Sequence, residues 1–327
     1  MVTKKPLNIN DEDLVDGLIE IEGRPMDQPT SMSYCLQRIR LGELCREITD
    51  SIPFADIGNQ LFDYDKLRII DMRICEITNG LPKFFSLDYN AGELPVTDPR
   101  KSPGIIIQRY VINSLIHTQR CRLHLPYLSR AATEHDLNFS REACLQAART
   151  TIQTERLLST EQIPFVLARL KFSGVLHCVC VAIIVLLMDV CLNKNLRPEQ
   201  DRERRAEIFD AFQILEEAKD QSPFAEKILE SFYAFLWRNK VTLPDSNGKP
   251  SRRANNAQSQ QPPSDLSTGS TLPTVLTGDD LVGNNPLDPS LPTFDEIWQT
   301  FDSNVDPTSF FDWNSLFAEL DSPFLSM

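Results

Sequence analysis

Residues 175–188 read VLHCVCVAIIVLLM and form the most hydrophobic stretch of the chain. A helix that spans a bilayer needs about 20 apolar residues. This run is shorter, contains His177 and is followed at once by Asp189. We therefore predict that it belongs to a buried helix, over about Phe165–Leu192, at the centre of a helical domain. We expect no association with a membrane.

Helical periodicity continues on both sides of this run, because apolar residues recur at i, i+3, i+4 and i+7. No strand pair or βαβ rhythm interrupts the pattern, so the predicted fold class is all-α, with a multi-helix domain over residues 1–240. Four helices are predicted before the central run. The first two carry Leu41, Leu44, Cys45 and Ile48, from about Thr30 to Pro53, and Leu67, Ile70, Ile74, Ile77 and Leu81, stopped by Gly80 and Pro82. The next two are Pro103–His124 and a helix with Cys144, Ala147, Ala148 and Thr151 after a Ser140 cap. Those after it are Ile208, Phe212 and Leu215, and then Phe224, Ile228, Phe232 and Phe235 behind a Ser222-Pro223 cap.

Charge is distributed unevenly along the chain. The net charge is −13, yet residues 254–327 hold eleven acids and no Lys, Arg or His, which leaves 35 acids against 33 basic residues elsewhere. Neither part is a strongly basic nucleic-acid surface. Within Asn193–Arg205, the arginines at 202, 204 and 205 alternate with acids, which indicates a solvated loop and helix face rather than a phosphate-binding strip.

Composition also divides the end of the chain. Residues 241–291 are rich in Asn, Ser, Gln, Pro, Thr and Gly, so we predict a disordered linker there. Residues 292–327 hold two short acidic amphipathic segments, which we interpret as an activation region that folds in the groove of a coactivator. The alternative is that they pack onto the domain as terminal helices. The predicted coactivator-binding residues are Phe294, Ile297, Trp298, Phe301, Phe310, Phe311, Trp313 and Phe317.

Candidate metal and catalytic sites are weak. His117, Cys121 and His124 share one helical face but have no obvious fourth ligand, and Cys178 and Cys180 lie in an apolar run. No phosphate loop, nucleophile elbow or zinc-protease motif is present, so we predict no catalytic residue, no metal ligand and no enzyme activity. Without a Cys-x-x-Cys pair or a signal peptide, the eight cysteines are expected to be reduced intracellular thiols.

Five separated segments follow one another along the domain: Pro6–Leu14 (PLNINDEDL), Leu36–Ile48, Tyr64–Phe85 with its Pro-aromatic stop, Leu123–Leu128 (LHLPYL) and Ser140–Arg149 (SREACLQAAR). In this order they resemble the fungal-specific transcription factor domain, the middle homology region of the zinc binuclear cluster regulators. Leu125 stands where that family usually has Arg.

The resemblance implies a nuclear regulator of transcription by RNA polymerase II, with a regulatory domain at about residues 6–240 that begins partway into the family pattern. It also implies dimerisation, with the same chain or a family member, and DNA binding through a six-cysteine zinc cluster that this sequence lacks. DNA and zinc would therefore be bound only through an upstream cluster. Two alternatives are open: a truncated relative that acts by pairing with other proteins, and a helical domain that senses a small molecule.

Overall fold

The computed structural model describes residues 4–14, 22–50, 64–131, 134–193 and 197–244. Every regular element within these ranges is a helix, which confirms the all-α prediction. The predicted linker beyond Pro244 and the predicted activation region lie outside the described residues. The α-helices are α1 (Ser33–Asp50), α2 (Tyr64–Asn79), α3 (Pro103–His124), α4 (Leu128–Ala131), α5 (Asn138–Ser159), α6 (Phe165–Ala168), α7 (Ser173–Leu192), α8 (Pro198–Ala218) and α9 (Pro223–Arg238). Short 3₁₀ helices lie at Asp11–Asp13, Lys83–Phe85, Pro99–Lys101, Leu125–Tyr127, His135–Leu137 and Arg169–Lys171.

The central hydrophobic run lies in α7, as predicted. Helix α7 is long and apolar enough to cross a membrane, but 78% of its most apolar stretch is buried inside the protein. Every residue from Cys178 to Val190 is buried. Neighbouring helices α3, α5, α8 and α9 cover it, so in this fold α7 is the core helix.

Two apolar clusters fill the body. The first surrounds α7 and takes side chains from α5, α8 and α9, together with Val241 and Leu243 beyond the last helix. The second joins α1, α2 and the first half of α3 around the Phe84–Phe85 pair. Because α3 and α5 contribute to both clusters and pack on each other, they connect the two halves of the body.

The prediction of one helix over Phe165–Leu192 was wrong. The chain forms the single turn α6, a 3₁₀ turn at Arg169–Lys171 and an extended Phe172 (φ −85°, ψ 114°) before α7 begins. Two contacts account for the break: the rings of Phe165 and Phe172 stack with centroids 5.3 Å apart, and the Arg169 Nη1 donates to the Val166 carbonyl at 2.8 Å. In an unbroken helix, Phe165 and Phe172 would lie about two turns apart, roughly 10 Å along the helix axis.

The predicted serine caps differ from the structure as well. Helix α5 begins at Asn138, two residues before Ser140, and Ser140 lies buried inside it. Ser222 does precede α9, with Pro223 at the first helical position, but its side chain makes no capping hydrogen bond. Helix α1 begins at Ser33, whose Oγ accepts a hydrogen bond from the Thr30 N–H at 2.8 Å. The Ser140 hydroxyl has a different partner, described below.

Candidate functional site

A buried polar network joins α2, α3 and α5. The ring of His124 is fully buried, with Nε2 2.9 Å from the Asp71 carboxylate and Nδ1 3.1 Å from the Ser140 hydroxyl. Arg120 donates to both oxygens of Asp71, at 2.6 and 3.0 Å. The Ser140 and Tyr64 hydroxyls are hydrogen-bonded at 3.2 Å. One carboxylate therefore holds a cation and an imidazole inside the body.

Electrostatics fixes the protonation of this network. Burial raises the pKa of Asp71, but hydrogen bonds from His124 and Arg120 outweigh it and bring the pKa to about 2. Burial lowers the pKa of His124, against the opposing effect of Asp71. The imidazole is therefore neutral at pH 7, its Nε2–H donates to the carboxylate, and its unprotonated Nδ1 faces the Ser140 hydroxyl.

The order Asp71, His124, Ser140 matches the chemical order of a hydrolase triad. A nucleophile must also reach its substrate. Ser140 and His124 have no exposed surface, and Asp71 is 3% exposed. A hydroxyl enclosed in this way cannot attack a substrate, so the three residues serve to hold α2, α3 and α5 together.

A second polar network lies at the carboxyl-terminal end of α7. Asp189 is 1% exposed and accepts hydrogen bonds from Arg141 at 2.6 Å, Arg204 at 2.8 Å and Asn193 at 2.9 Å. Arg204 also donates to the Asp189 and Asn193 carbonyls. The prediction of a solvated face was therefore wrong for Arg204, which is 7% exposed. Its guanidinium pins the start of α8 onto the end of α7.

A third network lies between α5 and the turn before α7. The Arg169 Nε donates to the Glu155 carboxylate at 2.7 Å, and Arg169 also reaches Glu217 on α8 at 3.2 Å. Burial raises the pKa of Glu155 to about 7, even though Arg169 acts in the opposite direction. The folded protein therefore holds a proton on Glu155 over part of the pH range in which the unfolded chain has released it.

Glu155 should make stability depend on pH. Because its pKa is raised on folding, its contribution to stability is complete below the ordinary value near 4.5 and is lost as pH rises through about 7. We expect the stability of the wild-type protein to fall relative to Glu155→Gln by on the order of 1–3 kcal/mol between pH 5 and pH 8. Urea unfolding at several pH values measures this difference. Glu142→Gln, an exposed position on α5, is the control, and a difference that does not change with pH would contradict the assignment.

The Asn8 side chain joins the amino-terminal segment to the start of α1 and the residues before it. Its amide donates to the carbonyls of Arg24, Pro25 and Gln28 at 3.0–3.2 Å. Its side-chain oxygen accepts from the Thr30 and Ser33 hydroxyls at 2.7 and 2.9 Å. With 4% of its surface exposed, this one side chain satisfies five partners and fixes the chain on both sides of residues 15–21, which lie outside the described ranges.

Asn8→Ala should therefore destabilise the protein, because it leaves buried carbonyls and hydroxyls without a partner. We expect a loss of about 2–3 kcal/mol in the free energy of unfolding. Asn79→Ala, at the exposed end of α2, is the matched control and should change stability by less than about 0.5 kcal/mol. Equal unfolding midpoints for the two variants would show that Asn8 does not hold this segment.

The candidate metal ligands do not converge. His124 is bonded to Asp71 and Ser140, while the Cys121 thiol donates to the Cys144 carbonyl at 3.7 Å. Cys178 and Cys180 are buried in the core, where burial raises the pKa of Cys178 to about 11. In the part of the chain that the structure describes, no group of three His, Cys, Asp or Glu residues could hold a metal ion.

The predicted coactivator-binding residues, from Phe294 to Phe317, fall outside the described residues, so the structure does not test them. Sequence reasoning missed Asp71, Asp189 and Glu155. A signal was present for the first two: Asp71 shares the apolar face of α2, and Asp189 directly follows the most hydrophobic run of the chain. A carboxylate at such a position needs a buried donor.

Curated proteins of known role match the sequence over much of its length. The probable transcription factor lepB of Aspergillus flavus is 33% identical over 331 residues, covering 97% of this chain and 55% of the relative. The chain resembles fungal transcription factors. The agnestins biosynthesis cluster transcription factor AgnL11 of Paecilomyces divaricatus is 28% identical over 297 residues, covering 88% of this chain and 41% of that protein. A Zn(2)-C6 fungal-type transcription factor, mpsB of Macrophomina phaseolina, is 27% identical over 195 residues, or 58% of this chain and 25% of mpsB.

These transcription-factor relatives are longer proteins, and the chain spans about half the length of the first two. They are named as transcription factors and not as enzymes, in agreement with the prediction that the chain is not an enzyme. No family model matches the sequence, and no solved structure gives a significant match.

Residues of the segments on which the family resemblance was based make contacts between elements of the structure. His124 of the LHLPYL turn bonds Ser140, the first residue of SREACLQAAR. Leu125, which replaces the usual Arg, is 2% exposed and packs in the apolar cluster around α7. Asn8, from the amino-terminal signature, closes the segment before α1. The motif residues of these three segments thus serve to join elements of the body.

Proposed function

We propose that this chain is the regulatory and activating portion of a fungal transcription regulator that works in the nucleus. The similarity to the Aspergillus flavus transcription factor carries the proposal, because it extends over 97% of the chain and so includes the acidic carboxyl-terminal region as well as the helical body. The body is the regulatory domain, and residues 292–327 recruit coactivators.

The composition of residues 292–327 suits this tail to coactivator binding. Bulky apolar side chains on a chain with acids and no basic residues stay solvated through charge repulsion until a partner groove accepts them. The aromatic rings then supply most of the binding energy, as large buried anchors do in other interfaces. The carboxylates supply long-range attraction to basic residues at the rim of the groove. Dimerisation, zinc binding and DNA binding belong to the family pattern, and we place none of them on a residue of this chain.

The tail should activate transcription when it is tethered to a foreign DNA-binding domain. Replacing Trp298, Phe301, Trp313 and Phe317 together with Ala removes the anchors, so we expect reporter output to fall at least about tenfold, to near background. Replacing Asp302 and Asp306 with Asn is the matched control and should have a smaller effect. Unchanged output from the aromatic variant, at equal protein level, would refute the assignment.

A further inference from the structure

A cleft of about 260 Å³ opens between the segment before α1, helix α1 itself and the turn that follows α2. Three apolar residues, Met26, Leu81 and Pro82, form an apolar wall of the cleft. Gln37 and Arg40 line it from α1. Lys83 and Asp27 complete the lining. This volume lies just below the roughly 300–1,000 Å³ of sites for drug-sized ligands, so the cleft suits a smaller molecule.

Among the described residues, the cleft lining holds more positive than negative charge. Elsewhere in the body, arginines such as Arg120 and Arg204 each bind a carboxylate. Among the described residues, neither Arg40 nor Lys83 has a carboxylate within ion-pair distance. One acid, Asp27, also lines the cleft. Two cations against one anion favour an anionic ligand.

The local structure holds Arg40 in place. Its Nη1 donates to the Gln37 side-chain oxygen at 3.0 Å and to the Gly80 carbonyl at 3.2 Å. Gln37 is 1% exposed and therefore fixed. A Cβ at position 80 would lie 3.2 Å from the Arg40 Nη2, so a larger residue than Gly80 would displace the guanidinium. A guanidinium has five N–H donors in a rigid fork, and these two acceptors engage only one of its nitrogens.

A purely structural role explains part of this arrangement. Arg40 binds a carbonyl just beyond the end of α2, where a cation is favourable toward the helix dipole. That role accounts for the contact with Gly80. It does not account for Lys83, which has no bonded partner among the described residues, or for the apolar wall of the same cleft.

We propose that this cleft binds a small organic acid, whose carboxylate meets Arg40 and Lys83 and whose hydrocarbon part lies on Leu81 and Pro82. The proposal rests on the proposed function in that it gives the regulatory body a metabolite to sense. An inorganic anion would use the cations but gain nothing from the apolar wall. The cleft therefore selects a carboxylate with a carbon skeleton over phosphate or acetate.

Benzoate tests the proposal, because it carries one carboxylate on a compact apolar ring. It is titrated into the full 327-residue chain while the amide shift of Gly80 is followed by NMR, beside benzyl alcohol, acetate and inorganic phosphate at matched ionic strength. We expect saturable benzoate binding with a Kd of roughly millimolar order. The other three probes should bind at least about fivefold more weakly, since each lacks either the charge or the apolar body.

Lys83→Gln removes one exposed cation and should weaken benzoate binding at least about fivefold. Lys66→Gln, at the exposed start of α2, is the matched control and should bind like the wild type. Absence of saturable binding, equal affinity for benzyl alcohol, tighter binding of phosphate or equal binding by the two lysine variants would each overturn the proposal. Since no transcription is measured, these outcomes are independent of the tethered-tail experiment.

Discussion

Replacing Asp189 with Ala should lower the free energy of unfolding by about 3–5 kcal/mol, the usual cost of removing one partner from a buried ion pair. The carboxylate lies at the end of the core helix, 1% exposed, between two arginines from two other helices. Its loss removes the 2.8 Å ion pair of Arg204, itself 7% exposed, and leaves Asp201 at 3.1 Å as the remaining carboxylate partner of that buried cation. Natural domains have only about 5–15 kcal/mol of stability, so the variant should be close to unfolding at 37 °C.

Urea unfolding followed by circular dichroism measures this loss. Asp220→Ala is the control, because it removes the same carboxylate from an exposed position just beyond α8; it should change stability by less than about 0.5 kcal/mol. A loss below about 1 kcal/mol for Asp189→Ala would mean that Arg141 and Arg204 reach solvent or other acceptors without it.

The helices follow from the sequence because their signals are local. Spacing of apolar residues placed the buried stripe of α2 and the core position of α7, and Ser102-Pro103 marks the start of α3, where the Ser102 hydroxyl accepts from the Ile105 N–H. The break before α7 has no such signal. Phe165 and Phe172, whose rings stack across it, fit the apolar pattern of a continuous helix equally well.

The polar networks could not be predicted from local sequence patterns either. Asp71 and Ser140 lie 69 positions apart in the sequence, and only the packing of α2, α3 and α5 brings them to the two sides of one imidazole. A serine near a helix start usually caps it, and that general preference led to the wrong role for Ser140. Periodicity can tell which face of a helix is buried, but it cannot tell which partner that face meets.

Replacing Asp71 with Ala should cost about 2–4 kcal/mol in the free energy of unfolding, because it removes the acceptor of a buried imidazole and of a partly buried guanidinium. His124 loses the partner of its Nε2–H with no exposed surface of its own, and Arg120 loses both of its charged hydrogen bonds. Asp71→Asn should cost less, since the amide oxygen can still accept from one of them. Equal losses of unfolding free energy for Asp71→Ala and Asp71→Asn would show that the negative charge of Asp71, and not the shape of its side chain, accounts for its whole contribution to stability.

Asp71→Ala and Asp189→Ala should differ in which part of the body unfolds locally. Asp71 ties α2 to α3 and α5 within the cluster around Phe84 and Phe85, whereas Asp189 ties α7 to α5 and α8. Local unfolding follows such units, and amide exchange reports it. Asp71→Ala should therefore speed exchange most in α1 and α2, and Asp189→Ala most in α8 and α9. If both variants speed exchange equally throughout, α3 and α5 couple the two clusters into one cooperative unit, and each buried carboxylate stabilises the whole body.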